Sequence, residues 1–228
     1  TWSVVKAPFQ GGRDDLPMLT GGVGGGLLLF AFDQEIYDAI QDARDRPVMG
    51  AIEDVGTFLE PLGNVGGPTV VMAGAWAVSA GLGQDRLALV FQELVNSQLI
   101  GTLTRHVVRG FVGRARPRDG EGPYVFRPFE YTSFPSGHAS TITQVAAVLS
   151  HHIGNPWASG LLYAGAGTVM VQRITSDAHW ASDVWFGAWW GYGVSQVVIA
   201  AREADWVELQ PYVEPVGGGV GIQARIPF

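Results

Sequence analysis

Two stretches without a charged side chain, residues 66–84 and 184–201, most restrict how this chain can fold. A helix satisfies its own backbone hydrogen bonds and asks only that its side chains be covered. Both stretches approach the roughly 20 apolar residues of a membrane-spanning helix, but Ser, Gln and Gly interrupt them. Mean hydropathy is +0.17, between soluble and polytopic values. We read the two stretches as core helices, apolar on all sides, and favour a soluble or peripherally attached protein over a polytopic one.

The remaining apolar periodicity is also mostly helical. Ile36, Tyr37 and Ile40 share one face of a helix over residues 36–44, with acids opposite. Further helices are expected over about 48–59, 85–108, 139–151, 158–172 and 178–202. Residues 1–20 read as irregular, and residues 113–136, which hold four prolines, as a loop. The sum is six or seven helices in an all-α, single-domain bundle over residues 1–208, without internal repeats. Residues 209–228 differ. Val220, Ile222, Ala224, Ile226 and Phe228 alternate with Gly221, Gln223, Arg225 and Pro227, the period of a strand. A lone strand is not stable, so this tail needs a partner in another tail segment, a second subunit or another protein.

The net charge of −7 argues against nucleic-acid binding. Charge is unevenly placed: six of the 14 basic residues lie between Arg105 and Arg127, whereas the first 60 residues carry ten acids against four bases. A basic island in an acidic chain points to a local anion site. The absence of cysteine removes disulfides and thiolate chemistry and fits an exported, periplasmic or membrane-associated protein. The start at Thr1-Trp2 fits a processed, exported chain, and a trimmed start explains it equally well.

Three segments carry candidate chemistry. In the third, Arg173 precedes His179, and Asp183 follows four residues later at an expected helix start. That spacing puts both side chains on one helical face, where the carboxylate can accept from Nδ1–H and leave Nε2 free to attack. In the second, Pro135-Ser136-Gly137-His138 reads as a turn entering a helix. Ser136 is a good N-cap, Gly137 allows close backbone approach, and helix-start amides favour an anion. His138 can donate a proton to a leaving oxygen. The first segment supplies Arg109 and Arg116, whose planar guanidinium groups suit phosphate oxygens. Taken together these groups can hold a phosphoryl group, attack it in line and protonate the departing alcohol.

In these blocks the sequence resembles the type 2 phosphatidic acid phosphatase superfamily. Its pattern is Lys-x6-Arg-Pro, Pro-Ser-Gly-His and Ser-Arg-x5-His-x3-Asp. Here Arg109 takes the place of the lysine, and Gln172 stands where the family usually has serine. The resemblance covers residues 109–183 and implies an all-α bundle. It implies a phosphohistidine on His179, oriented by Asp183, and His138 as general acid and then base. Arg109, Arg116, Ser136, Gly137 and Arg173 would cradle the phosphate. The two departures leave room for altered substrate choice.

No metal or cofactor is implied; the histidines lack zinc spacing. His106, His151 and His152 are expected to be structural or surface residues. The substrate is expected to be a phosphate monoester or a lipid (pyro)phosphate, with a membrane surface as a candidate partner. Tyr124, Phe126, Phe129, Tyr131 and Trp180 suit an apolar ligand portion, or equally a packed loop. Two other readings stand beside this one. A vanadium-dependent haloperoxidase resembles the same blocks, with vanadate as phosphate mimic and His179 as its axial ligand. A noncatalytic assembly protein would use the tail and the tryptophans instead.

Overall fold

The computed structural model of the chain describes residues 16–203, 208–213 and 220–225. Among these are eight α-helices: α1 (Leu16–Ala31), α2 (Asp33–Asp42), α3 (Pro47–Leu59), α4 (Gly66–Gly81), α5 (Asp85–Val112), α6 (Gly137–Ile153), α7 (Pro156–Thr175) and α8 (Ala181–Glu203). A 3₁₀ turn, Glu60–Gly63, follows α3, and another, Pro117–Asp119, interrupts the long loop between α5 and α6. The architecture is all-helical, as expected. Among the described residues no helix is long and apolar enough to cross a membrane.

Helix α6 is the hub. Its Val145 and Val148 pack with Leu94 of α5 and Ile199 of α8. Its Ala139 packs with Ile174 of α7 and with Ala181 and Val184 of α8, under Ile36, Tyr37 and Ile40 of α2. Its Ile142 and Ala146 meet Ala166 and Val169 of α7, with Leu59 of α3 against them. The face expected for Ile36, Tyr37 and Ile40 is therefore the buried one.

The core is built from small and polar side chains. Seven of its buried apolar residues are alanines, and Ser97, Ser140, Thr141, Gln98 and Gln144 are buried beside them. Small residues let helices approach closely. A Cβ on Gly187 of α8 would lie 2.4 Å from the Ser136 carbonyl oxygen, and one on Gly191 would lie 2.2 Å from that of Ser140. Many of the large apolar residues face outward instead: Phe58, Trp157, Leu161 and Leu103 are each more than two-thirds exposed.

Three expectations need correction. The stretch 66–84 is not a buried core helix: in α4 only Trp76 and Ser79 are buried, while Val70, Val71 and Val78 face outward, because α4 lies at the edge of the bundle and is covered on one side only. Residues 16–20 open helix α1 rather than an irregular segment, and α1 runs through Gly21, Gly22, Gly24, Gly25 and Gly26. Glycine is a poor helix former, so the cause is tertiary. Gly22, Gly25 and Gly26 lie under Trp189, Trp185 and Phe186 of α8, where a side chain would collide. Trp185 Nε1 also donates to the Gly22 carbonyl at 2.8 Å. Helix α5 also continues past residue 108 to Val112 and ends at Gly113, whose φ of +56° is left-handed. A Cβ there would lie 2.0 Å from the Arg127 carbonyl oxygen, so only glycine fits.

The tail finds its partner within itself. Strand β1 (Glu208–Val213) pairs antiparallel with β2 (Val220–Arg225), in a register that sets Glu208 opposite Arg225 and Val213 opposite Val220. The start of the chain, the proposed boundary at residue 208 on its N-terminal side, and Ile226 to Phe228 lie outside the described residues.

Candidate active site

The three sequence blocks, with the residues just beside them, are joined by backbone hydrogen bonds before any side chain is considered. Ser136 N donates to the Asp183 carbonyl at 2.9 Å, Arg118 N to that of Asp177 at 3.2 Å, and Ser133 N to that of Arg114 at 2.9 Å. The last two turns of α5 bring Arg105 and Arg109, one turn apart on the same face, to the start of α6. There Arg105 Nη1 donates to the Gly137 carbonyl at 2.9 Å and Arg109 Nη2 to that of Pro135 at 2.8 Å. Ser136 caps α6, its Oγ accepting from Ala139 N at 3.4 Å. Helix-start amides and two guanidinium groups thus share one corner.

His179 sits in the turn between α7 and α8, not in the helix itself. Its backbone N–H reaches the Arg173 carbonyl at 3.2 Å, and α8 begins only at Ala181. Asp177, at a left-handed φ of 56°, shapes that turn. Helix α2 holds it in place: Tyr37 Oη and Gln41 Nε2 donate to Asp177 Oδ1 at 2.6 and 3.0 Å. Burial and the Asp177 carboxylate push the Tyr37 phenol up to about 12.

This placement alters the expected His179–Asp183 relation. Nδ1 and Asp183 Oδ2 are 3.9 Å apart, too far for a hydrogen bond. Ser133 Oγ bridges the gap, 3.5 Å from Nδ1 and donating to Asp183 Oδ2 at 2.5 Å. The i, i+4 argument assumed both residues were helical; with His179 two residues before the start of α8, the carboxylate instead accepts from Trp180 N at 3.0 Å, as a cap does.

Asp183 is also clamped from behind. Arg114 Nη1 donates to its Oδ1 at 2.7 Å, and Arg114 Nη2 to Asp33 Oδ2 at 2.7 Å. Asp33 Oδ1 accepts from Ser182 N at 2.9 Å. Burial raises the proton affinity of Asp183, against the pull of Arg114, Ser133 and the Trp180 N–H. The Arg114 guanidinium is flanked by the Phe30 ring, 4.9 Å from its centroid. Beside it opens a hollow of about 250 Å³ lined by Phe30, Phe126, Phe134 and Phe186 among others.

Four arginines surround the histidines. Arg105, pushed down to about 10 by burial and then by Arg109, lies deepest. Arg109, Arg116 and Arg173 are each lowered, first by burial. Their mutual repulsion marks a region prepared for an anion, and the buried Nε atoms of Arg105 and Arg109 have no protein partner. His179 is held well below its ordinary range by burial, then by Arg116, Arg109, His138 and Arg173. His138 falls to about 4 through burial and Arg173, with Glu60 opposing. Glu60 Oε1 lies 3.1 Å from both His138 Nε2 and Arg173 Nη1.

All eight residues singled out in the sequence therefore lie in or beside this region. Sequence reasoning missed Arg105, Arg114, Ser133, Asp33 and Glu60. Arg114 lay inside the first block and the basic island, a signal that was present; Asp33 and Glu60 lie far upstream, with no spacing to connect them. The other histidines are occupied elsewhere: His106 Nδ1 is 2.7 Å from the Thr102 carbonyl, and His152 Nε2 is 2.8 Å from Glu93 Oε2. Trp180 is a packed anchor, donating to the Ala115 carbonyl at 2.8 Å.

A lipid A 1-phosphatase of Porphyromonas gingivalis is 36% identical over 107 residues, 46% of this chain but only 21% of that protein. The chain thus matches about a fifth of that relative's length. The crystal structure of Aquifex aeolicus LpxE superposes with a TM-score of 0.52 at 20% identity, over 74% of this chain and 94% of that one, and shows the shared fold. The PAP2 superfamily profile matches residues 92–206, half of the sequence and all three blocks. The chain is therefore a member of the PAP2 superfamily, as the Arg109, Pro135–His138 and Arg173–Asp183 blocks imply.

Proposed function

We propose that this protein is a metal-independent lipid phosphate phosphatase working through a phosphohistidine on His179. The observation that carries this reading is the set of four arginines, Arg105 buried and Arg109, Arg116 and Arg173 half-buried, two with unpartnered Nε atoms, gathered around two histidines held neutral. A neutral imidazole has a lone pair to attack phosphorus, and the turn held by Asp177 keeps its ring in place. In this reading a nitrogen of His179 forms the bond to phosphorus while the bond to the ester oxygen breaks. His138 gives the departing oxygen its proton. It then takes one from water as that water attacks the phosphohistidine, releasing phosphate and restoring His179. Arg109, Arg116 and Arg173, with Ser136 and Gly137 at the α6 start, bind the equatorial oxygens. Binding a dianion raises the proton affinity of His138, so substrate itself readies the acid.

A lipid substrate is favoured by three observations. The matched relative is a lipid A 1-phosphatase. The phenylalanine-lined hollow adjoins Arg114. Large apolar side chains, Val70, Val71 and Leu82 among them, face outward, which suits contact with a membrane. The test is phosphate release across lipid and soluble esters, with His179→Ala as control. The expected result is turnover favouring lipid phosphates, abolished in the variant. Full activity in His179→Ala removes the nucleophile from this scheme, and a preference for soluble esters removes the lipid.

A further inference from the structure

Glu60 has the wrong sign for a phosphate site, yet it sits in one. Its carboxylate lies 3.1 Å from Nε2 of His138 and 3.1 Å from Nη1 of Arg173. In the free protein the contact sets a carboxylate beside a neutral ring, outside hydrogen-bond geometry, since Nε2 has no hydrogen-bonding partner there. The backbone that presents Glu60 is fixed on both sides. Before it, a Cβ on Gly56 would lie 2.4 Å from the Thr168 carbonyl oxygen, so α3 lies flush on α7. Leu59 is packed against the Ile142–Val169 cluster. After it, Pro61 restricts the 3₁₀ turn, and a Cβ on Gly63 would lie 3.0 Å from Cδ2 of His138. The turn therefore backs the imidazole as well as charging it.

We propose that Glu60 is a positioning residue for proton transfer: it holds the His138 ring and stabilises the imidazolium that protonates the leaving oxygen. This rests on the reading of His138 as general acid given above. The groups facing His138 make the need plain. Arg105 and Arg109 approach from α5, Arg173 from α7 and His179 from the turn before α8. All are cationic or neutral, and Glu60 is the one carboxylate within ion-pair range of His138 among the described residues. Without it, every neighbouring charge disfavours the proton that the acid must carry. In the reaction Nε2–H stays with the carboxylate and the proton for the leaving oxygen comes from Nδ1. That proton passes to the ester oxygen as its bond to phosphorus breaks, and Glu60 remains a carboxylate throughout. Arg173, 3.1 Å from the same oxygen, keeps the carboxylate in place.

Leaving groups separate this role from a structural one. An alkyl alkoxide needs a proton to depart, whereas p-nitrophenolate leaves without one. The experiment compares the full chain and its Glu60→Gln variant on phosphatidic acid and on p-nitrophenyl phosphate across pH. For Glu60→Gln, kcat on the alkyl ester is expected to fall at least about 10-fold, with the aryl ester within about threefold. The alkaline limb of the alkyl-ester profile is expected to move to lower pH. Glu60→Asp, which keeps the charge with shorter reach, is expected to lie between, and it carries the same comparison if Glu60→Gln does not fold. Equal losses on both esters, an unmoved alkaline limb, or unchanged kcat with tighter inhibition by inorganic phosphate would each overturn the proposal. Wild-type protein that releases phosphate from neither ester overturns the proposed function itself, and this inference with it.

Discussion

Arg114 Nη1 and Asp183 Oδ1 meet at 2.7 Å, and neither side chain is exposed to solvent. The same guanidinium holds Asp33 at 2.7 Å, also fully buried. One cation thus serves two carboxylates from helices distant in sequence, and through Asp183 it supports both Ser133 and the start of α6. A buried ion pair is not in itself evidence of stability, but breaking one leaves charge stranded without solvent. Arg114→Met is expected to lower unfolding free energy by about 3–5 kcal/mol, read from urea denaturation. Adding Asp33→Asn is expected to restore part of that loss. If the single variant unfolds at the wild-type urea concentration, the Arg114 ion pairs do not contribute to the stability of the fold.

Acid sensitivity follows from the two histidines. His179 and His138 bind protons less readily in the folded protein than at the ordinary histidine value of 6.5, with His138 near 4. Between the folded and unfolded values the unfolded chain binds protons that the native chain refuses, so stability rises with pH through that window. The contribution is complete above about 6.5 and is lost progressively as pH falls, approaching about 1.4 kcal/mol per pH unit for a fully differential proton. Asp183 acts oppositely: its raised value favours the folded state as pH falls towards 3.8. The melting temperature is thus expected to decline from pH 7 to pH 5, with Asp183 opposing the two histidines. His138→Asn should shallow that slope, and a flat profile in the wild type would contradict the burial of these rings.

The close approach of α8 to α6 gives a third expectation. Gly187 and Gly191 face the carbonyl oxygens of Ser136 and Ser140 at distances no Cβ tolerates. Alanine at either position must push the helices apart, with an expected destabilisation of about 1–3 kcal/mol by thermal or urea unfolding. Only Gly187 lies against Ser136, at the proposed phosphate-binding turn. Gly187→Ala is expected to raise KM for the phosphate ester, and Gly191→Ala to leave it near the wild-type value. Equal effects on KM would mean that the displacement spreads along α6 instead of staying local.

The candidate site was legible in the sequence because its residues come in short blocks with fixed internal spacing. Arg109, Arg116, His138, Arg173 and His179 each sit at a motif position whose neighbours announce it. What surrounds them was not legible. Helix α1 is rich in glycine, and its helicity is imposed by Trp185, Phe186 and Trp189 packing on it from the other end of the chain. Asp33 and Glu60 look like ordinary surface acids in an acidic N-terminal third, and only the fold brings them to Arg114 and His138. The His179–Asp183 relation shows a subtler limit. The interval of four was read correctly, but periodicity does not fix a helix start to within a residue or two, and that offset inserts Ser133 between them.

Ser133 therefore supplies the last prediction. Its hydroxyl donates to Asp183 Oδ2 at 2.5 Å and lies 3.5 Å from His179 Nδ1, whereas the carboxylate and imidazole are 3.9 Å apart. If the carboxylate acts on the imidazole through this hydroxyl, removing either member breaks the same connection. Ser133→Ala is expected to lower kcat about tenfold with little change in KM. Asp183→Asn should be more severe, because it also disturbs Arg114 and the Trp180 amide. The decisive quantity is the double variant. A shared connection makes it scarcely worse than Asp183→Asn alone, a coupling within the 0.5–3 kcal/mol range of residues acting in one network, roughly. Strictly additive losses would instead mean that Asp183 reaches His179 directly during turnover, by a movement that closes the 3.9 Å gap.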